Sequence, residues 1–498
     1  MLEKYKFSPK FEKLLNFSTS KNILFLMTSF FVLTFLTQFY SIDNEVIDWD
    51  ESDFILMGKS FYDGYLPYIQ LWDLKPPLHF ILMGLSFQIF GPTLLVARLL
   101  GDFLIFLSAV LIYYITRFSL NKFDSFLTSS LYISFVSFEF SQPTMTEYTS
   151  TFFILLCIIF LFKDSKYGYF FAGVSISLSI LTRTNSAFVF IFLILYFFKK
   201  LGISKKIFNF IIGSILPLLL LVITYTLNGA LKEFLYSVFI IPLRNTLIRD
   251  NFIEFIRTSF QSIFLDSIFS LSLWALIFIF FIFFVIIKDT ELFKKNLKAL
   301  DSNEFKVLMI TFLALVISVL AGGRFFYHYL IQLFPFISIF IFLFLKKFIK
   351  SSNAIKFFIV LIMIVNLIPL SKESINKIQN YSEITENYKI KSFLKYIDSE
   401  KELLALDDHL IYFYLEREPI TPVVHPNTIF KTEDYKYILE DLIELNYIVR
   451  DQSKIILSNY PHYIFCEAEC KVILPMNYLE DYKLVYSVDN LNLYEFSN

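Results

Sequence analysis

Charge-free apolar runs recur through this chain, and they constrain its fold more than any other feature. Residues 22–40 read NILFLMTSFFVLTFLTQFY, long enough as a helix to cross a hydrocarbon layer about 30 Å thick. Comparable runs lie near 93–116, 123–141, 148–162, 168–182, 185–198, 207–227, 266–287, 307–321, 326–345 and 354–370. Several are short for a full crossing, so their ends are expected to be buried in protein. The hydrophobic fraction is 56%, against about 45–50% for soluble domains, which excludes a wholly water-soluble globule. The first run is longer than the roughly 7–15 residues of a signal-peptide core and ends in Phe-Tyr instead of small residues, so it reads as an uncleaved span.

Net charge is only −1, and the placement of the charges carries the information. Lys4, Lys6, Lys10, Lys13 and Lys21 hold the amino terminus in the cytoplasm. Arg117 and Lys122, Lys163 and Lys166, and the lysines of 199–206, 288–306 and 346–356 fall on that same side only if residues 76–90, PPLHFILMGLSFQIF, do not span. That segment is therefore expected to be a juxtamembrane amphipathic helix, with Pro76 and Pro77 in its first turn and Gly91 as its stop. The fold class is a polytopic α-helical membrane protein of about eleven spans, amino terminus inside and carboxyl terminus outside.

Residues 41–92 then form a large outer loop carrying Asp43, Glu45, Asp48, Asp50, Glu51, Asp53, Asp63 and Asp73. After residue 370 the composition turns polar. Residues 1–370 read as a transmembrane catalytic domain and 371–498 as a small outer domain of α/β or α+β type. Within it KIILSNY, YIFCEAE and the pair KLVYSV and LNLYEF, joined by Asp489-Asn490, read as strands beside a helix at 433–446. Cys157 reads as a small core residue. Cys466 and Cys470 are close enough to bridge if they face an oxidising compartment.

The outer boundary carries the candidate chemistry. Asp50 and Glu51 follow the first span beside Trp49, where burial raises a carboxylate's pKa and suits it to accept a proton. Adjacent helical residues point apart, so one acts while the other caps or orients. Lys75, in LKPPLH, combines a cation with helix amino-terminal amides at headgroup depth. It reads equally as an interfacial lysine reaching for headgroups. Arg183 opens a span in LTRTNSA, and Arg324 and His328 share a helix face at i, i+4 in GGRFFYHYL. Arg244 and Arg249 join them or merely decorate an amphipathic loop. Glu147, in QPTMTEYTS, orients an acceptor hydroxyl or pairs with an arginine. His79 reads as interfacial packing before a ligand. Carboxylates and cations at one leaflet boundary point to transfer from a lipid-linked phosphate. Neither G-x-x-x-x-G-K-[ST] nor G-x-G-x-x-G occurs, so a soluble nucleotide donor finds no support.

The stretch WDESDFILMGKSFYDGYLPYIQLWDLKPPLHFILMGLSFQIFGPTLLVARLL resembles the first outer loop of the dolichyl-phosphate-mannose protein mannosyltransferases (glycosyltransferase family 39) and their bacterial relatives, including the lipid A aminoarabinose transferases, of the GT-C class. The resemblance extends over about residues 22–200 and weakly through RFFYHYLIQLFP. It implies Asp50 as general base with Glu51 its motif partner, Glu147 as the second acidic position, and Lys75, Arg324 and His328 near the donor phosphate; Arg183 is expected from its outer position to join them there. Tyr65, Tyr68 and Tyr329 are the matching acceptor or sugar contacts. It also implies inversion at the anomeric carbon, a polyprenyl-phosphate sugar donor, and a periplasmic glycan, lipid or protein acceptor. No nucleic acid partner is expected, no metal ligand is assigned, and a divalent cation is left open. Protein mannosyltransferases carry His where Lys75 stands, and their lumenal inserts have no counterpart here. This favours the bacterial branch, with undecaprenyl phosphate as carrier and the bacterial inner membrane as location. A transporter or flippase of a phosphorylated lipid-linked sugar is the rival, and it would place ionisable groups at mid-membrane depth in two related halves. A noncatalytic homologue acting through its outer domain would bind without turnover.

Overall fold

The computed structural model describes residues 20–47, 49–137, 143–247, 302–322, 327–348, 353–406, 408–424, 427–430, 432–467, 473–475 and 477–497. The principal helices in chain order are α1 (Ser20–Gln38), α2 (Trp49–Tyr62), α3 (Leu78–Phe90), α4 (Leu94–Thr116), α5 (Lys122–Phe135), α6 (Thr146–Phe162), α7 (Lys166–Ile180), α8 (Ala187–Leu201), α9 (Lys205–Leu227), α10 (Asn303–Gly322), α11 (Phe334–Phe348) and α12 (Asn353–Gln379). Among the described residues six segments are long and apolar enough to cross a membrane: Ile23–Ser41, Leu94–Thr116, Thr184–Leu201, Lys205–Leu227, Asn303–Ala321 and Ile359–Gln379. Leu78–Phe90, Thr146–Phe162 and Phe334–Lys346 are shorter apolar helices. The span expected at 266–287 lies outside the described residues.

The chain divides into two compact units. The first takes the described residues within 1–38, 101–221 and 249–374, the second those within 39–100, 222–248 and 375–498. The first outer loop thus belongs to the same unit as the carboxyl-terminal segment.

In the first unit, helix starts follow local capping: Asn121 accepts the Asp124 N–H at 2.8 Å ahead of α5, and Ser165 accepts the Gly168 N–H at 3.0 Å ahead of α7. Helices α7 and α9 meet through glycine. A Cβ on Gly173 would stand 2.1 Å from the Phe210 carbonyl oxygen, and one on Gly213 would stand 2.0 Å from that of Phe170. Close backbone approach of this kind is how membrane helices associate where lipid offers no hydrophobic drive. The helix expected over 326–345 is broken: residues Tyr327–Gln332 form a 3-10 segment and α11 starts at Phe334. Pro335 explains the break, because proline lacks an N–H and fits only a helix's first turn.

In the second unit, α2 and α3 pack as a hairpin, and the expected short helix at 76–90 is α3. Gly91 ends it, with φ at 89° and its N–H on the Phe87 carbonyl at 2.8 Å. The sheet has the order β1-β2-β4-β3, with β1 (Leu403–Ala405) parallel to β2 (Tyr463–Glu467), and β3 (Tyr482–Val488) antiparallel to β4 (Leu491–Phe496). Asp489, at φ 51°, makes the hairpin turn expected from Asp489-Asn490. The helix expected at 433–446 is found as Thr432–Glu444. One expected strand is instead a helix: KIILSNY lies mostly in Gln452–Ser458. Its buried residues, Ile456 and Leu457, are adjacent and not alternate, which a helix face accommodates and a one-sided strand does not. Cys466 on β2 is disulfide-bonded, Cys157 is a free buried thiol, and Cys470 lies outside the described residues.

Candidate active site

Helix α2 opens with Asp50 and Glu51 in its first turn, and the two neighbours serve different purposes. Glu51 is 1% exposed and Arg98, on α4, is 3% exposed. The guanidinium grips the carboxylate with two parallel bonds of 2.9 Å, Nε to Oε1 and Nη2 to Oε2. It also donates to the carbonyls of Ser41 at 3.2 Å and Asn44 at 2.8 Å. Glu51 further accepts the Ile47 N–H at 3.2 Å. A buried bidentate pair of this kind fixes geometry, so Glu51 clamps the loop ahead of α2 and its carboxylate is not offered to a substrate.

Asp50 is open. Its Oδ2 lies 3.5 Å from Lys75 Nζ, and about a quarter of each side chain reaches solvent, 23% and 25%. Lys75 is held by its backbone: Asp73 Oδ1 accepts its N–H at 2.6 Å, and the Tyr68 hydroxyl donates to its carbonyl at 2.5 Å. Tyr68 is fully buried with φ at 70°, and the Tyr447 hydroxyl donates to its carbonyl. Tyr68, expected as a sugar contact, is thus buried with its hydroxyl on the Lys75 carbonyl. Tyr65 is the exposed aromatic of that run. Burial raises the Asp73 carboxyl to about 6, with Lys75 opposing the shift and Asp50 adding to it. His79 is buried, edge-on to Phe54 with ring centroids 5.6 Å apart, as interfacial packing requires. Arg244 pairs with Asp441. Arg249 lies outside the described residues.

The first unit gathers the other expected residues. Glu147 sits in the first turn of α6, Arg183 in the break before Thr184–Ser186, and His328 in the 3-10 segment. Arg183 ion-pairs with Glu147 and donates to Thr146 Oγ1 at 3.1 Å. His328 Nε2 lies 3.7 Å from Glu147 Oε1. The guanidinium stacks 4.9 Å from the Tyr329 ring centroid. Beneath them Ser150 bonds to Ser179 and Ser186, each at 2.8 Å, and accepts from Gln332 Nε2 at 2.8 Å. Of the two readings left open for Glu147, pairing with an arginine is the observed one. The helical i, i+4 relation proposed for Arg324 and His328 does not describe His328, which lies in a 3-10 turn. Arg324 itself lies outside the described residues.

Sequence reasoning gave Arg98 no role and Asp73 no distinction. A lone arginine inside LLVARLL was the available signal, because a charge in an apolar run must find a partner. Among the described residues no group of three or more His, Cys, Asp or Glu side chains is arranged to hold a metal ion.

Residues 74–226 match the family model described as dolichyl-phosphate-mannose-protein mannosyltransferase. No curated protein matches the chain in sequence. The crystal structure of ArnT from Cupriavidus metallidurans bound to undecaprenyl phosphate aligns over 96% of this chain and 98% of that one, at 10% identity and a TM-score of 0.61. The apo form of the same protein aligns over 95% and 98%, at 12% identity and a TM-score of 0.58. This chain shares the fold of that ArnT structure, and its residues 74–226 resemble the mannosyltransferase family. An Archaeoglobus fulgidus oligosaccharyltransferase aligns at 13% identity over 93% of this chain and 73% of that one, with a TM-score of 0.43, too low to build on. The family match covers α3 to α9, including Lys75, Arg98, Glu147 and Arg183, while Asp50 and Glu51 precede it. With six apolar spans among its described residues, the chain is a multi-pass membrane protein.

Proposed function

We propose that the chain is an inverting glycosyltransferase that moves a sugar from a polyprenyl-phosphate carrier, undecaprenyl phosphate in the bacterial inner membrane, to an acceptor hydroxyl on the periplasmic side. One observation carries the reading: a carboxylate and an ammonium 3.5 Å apart, each about a quarter open, beside the short apolar helix α3. Asp50 takes the proton of the acceptor hydroxyl as its oxygen bonds to the anomeric carbon. The carbon–oxygen bond to the phosphate breaks, the electron pair leaves with the phosphate, and Lys75 meets the developing charge. Glu51 has no chemical step; through Arg98 it fixes the start of α2 and hence the direction of Asp50. Arg183 and His328 are proposed as phosphate-facing cations oriented by Glu147, and Tyr65 and Tyr329 as sugar contacts. Residues 1–370 form the catalytic membrane domain and 371–498 the periplasmic domain, with the amino terminus in the cytoplasm.

The ArnT structure named above holds undecaprenyl phosphate, which supports this choice of carrier. The test is Asp50→Asn. Transfer from a polyprenyl-phosphate sugar should fall by about 10²–10⁴-fold while the protein still inserts and purifies; undiminished transfer rules out Asp50 as the base.

A further inference from the structure

The second unit holds a cavity of about 690 Å³, within the range of about 300–1,000 Å³ of small-molecule sites, to which the chemistry above assigns nothing. Its lining is polar in a particular way. Asn44, Asn376, Asn380, Asn387 and Asn490 line it, and a side-chain amide both donates and accepts. Carboxylates, Glu383, Asp408 and Glu467 among them, outnumber lysines six to two in the described lining. Both lysines already meet aspartates: Lys377 Nζ lies 2.6 Å from Asp43 Oδ1, and Lys389 pairs with Asp489.

The lip of this cavity is tied to the start of α2 through Arg98. The Asn44 carbonyl takes a bond from Arg98 at 2.8 Å, the arginine that grips Glu51. On the far side Glu45 accepts the N–H groups of Ile390 at 2.7 Å and Lys391 at 3.3 Å. The lip that carries Asn44 and Glu45 is thereby fixed within the unit that bears Asp50.

We infer that this cavity binds an uncharged, hydroxyl-rich glycan, the acceptor class for the transfer proposed above. A sugar hydroxyl donates to a carboxylate and accepts from an amide, and this lining supplies both in excess. A phosphorylated acceptor is disfavoured, because it would bring negative charge against surplus carboxylates while the cavity's lysines are engaged. The inference rests on the glycosyltransferase reading and deepens it by naming the acceptor class.

The test is direct binding, without donor. The full-length protein in lipid nanodiscs is titrated by calorimetry with neutral malto-, manno- and chito-oligosaccharides, and with monophosphoryl lipid A as the anionic comparator. At least one neutral series should bind. Asn380→Trp, which puts an indole into the cavity, should weaken it by about tenfold or more, and Glu383→Gln, which keeps shape and hydrogen bonding, should hold it within about threefold. Both variants should bind undecaprenyl phosphate like the parent, which shows that they are folded. The inference is overturned if no neutral oligosaccharide binds, if Asn380→Trp leaves their binding unchanged, or if monophosphoryl lipid A binds and Asn380→Trp abolishes it. A protein that binds the oligosaccharides yet never turns over donor would defeat the catalytic reading alone. Turnover without oligosaccharide binding would defeat only this one.

Discussion

In the second unit Asp50 and Lys75 stand 3.5 Å apart with 23% and 25% of their side chains open to solvent; in the first, Glu147 and Arg183 are in contact with 1% and 9% exposed. The residue types are nearly the same, and access separates them. The Asp50–Lys75 pair can be approached from solvent. The Glu147–Arg183 pair is enclosed and also meets a threonine, a histidine and a tyrosine ring. The same contrast is repeated one residue apart on α2, where Asp50 is open and Glu51 is clamped. Exposure, more than residue type, distinguishes the two pairs.

The comparison can be broken most forcefully at the clamp. Arg98→Ala strands the buried Glu51 carboxylate and should cost about 3–5 kcal/mol, seen as loss of monodisperse protein in detergent; a stable, active variant would show that Glu51 is not structural. Next is Asp73. Its folded pKa of about 6 lies above the ordinary 3.8, so its ionisation opposes folding. That stability is present below about pH 4 and is lost as pH rises through about 6, on the order of 3 kcal/mol in all. Asp73→Asn, which still accepts the Lys75 N–H, should flatten the decline of thermal midpoint between pH 4.5 and 7.5. Lys75→Ala removes a charge-assisted contact of about 1.5–3 kcal/mol and should raise the KM for a polyprenyl-phosphate sugar by about 10–100-fold, with insertion unaffected. An unchanged KM would reassign Lys75 to lipid headgroups. Smallest is Tyr68→Phe, which removes one hydrogen bond worth about 1 kcal/mol; a several-fold loss of rate without loss of fold would mark it as positioning Lys75.

Much of this was legible in the sequence because its physics is local. Apolar run length marked the spans. Charge parity set residues 76–90 apart, and Pro76, Pro77 and Gly91 bounded α3. Lys75 and Asp50 were legible as types and as a motif, as was the Asp489-Asn490 turn. What was not legible depends on contacts distant in sequence. Arg98 lies 47 positions beyond Glu51, and nothing local says which acid of the pair it takes. Tyr68 was expected as an acceptor or sugar contact, yet its left-handed backbone and buried hydroxyl follow from tertiary packing. The segment at 452–458 has the β-branched residues of a strand, and its helix is decided by which two side chains reach the core.

The hydroxyl of Tyr447 rests on the Tyr68 carbonyl, and the hydroxyl of Tyr68 rests on the Lys75 carbonyl. Two phenols in tandem thus tether the Lys75 backbone to a residue near the far end of the chain. A truncation just after the last span would cut that guy-rope and leave the loop bearing Lys75 without its support.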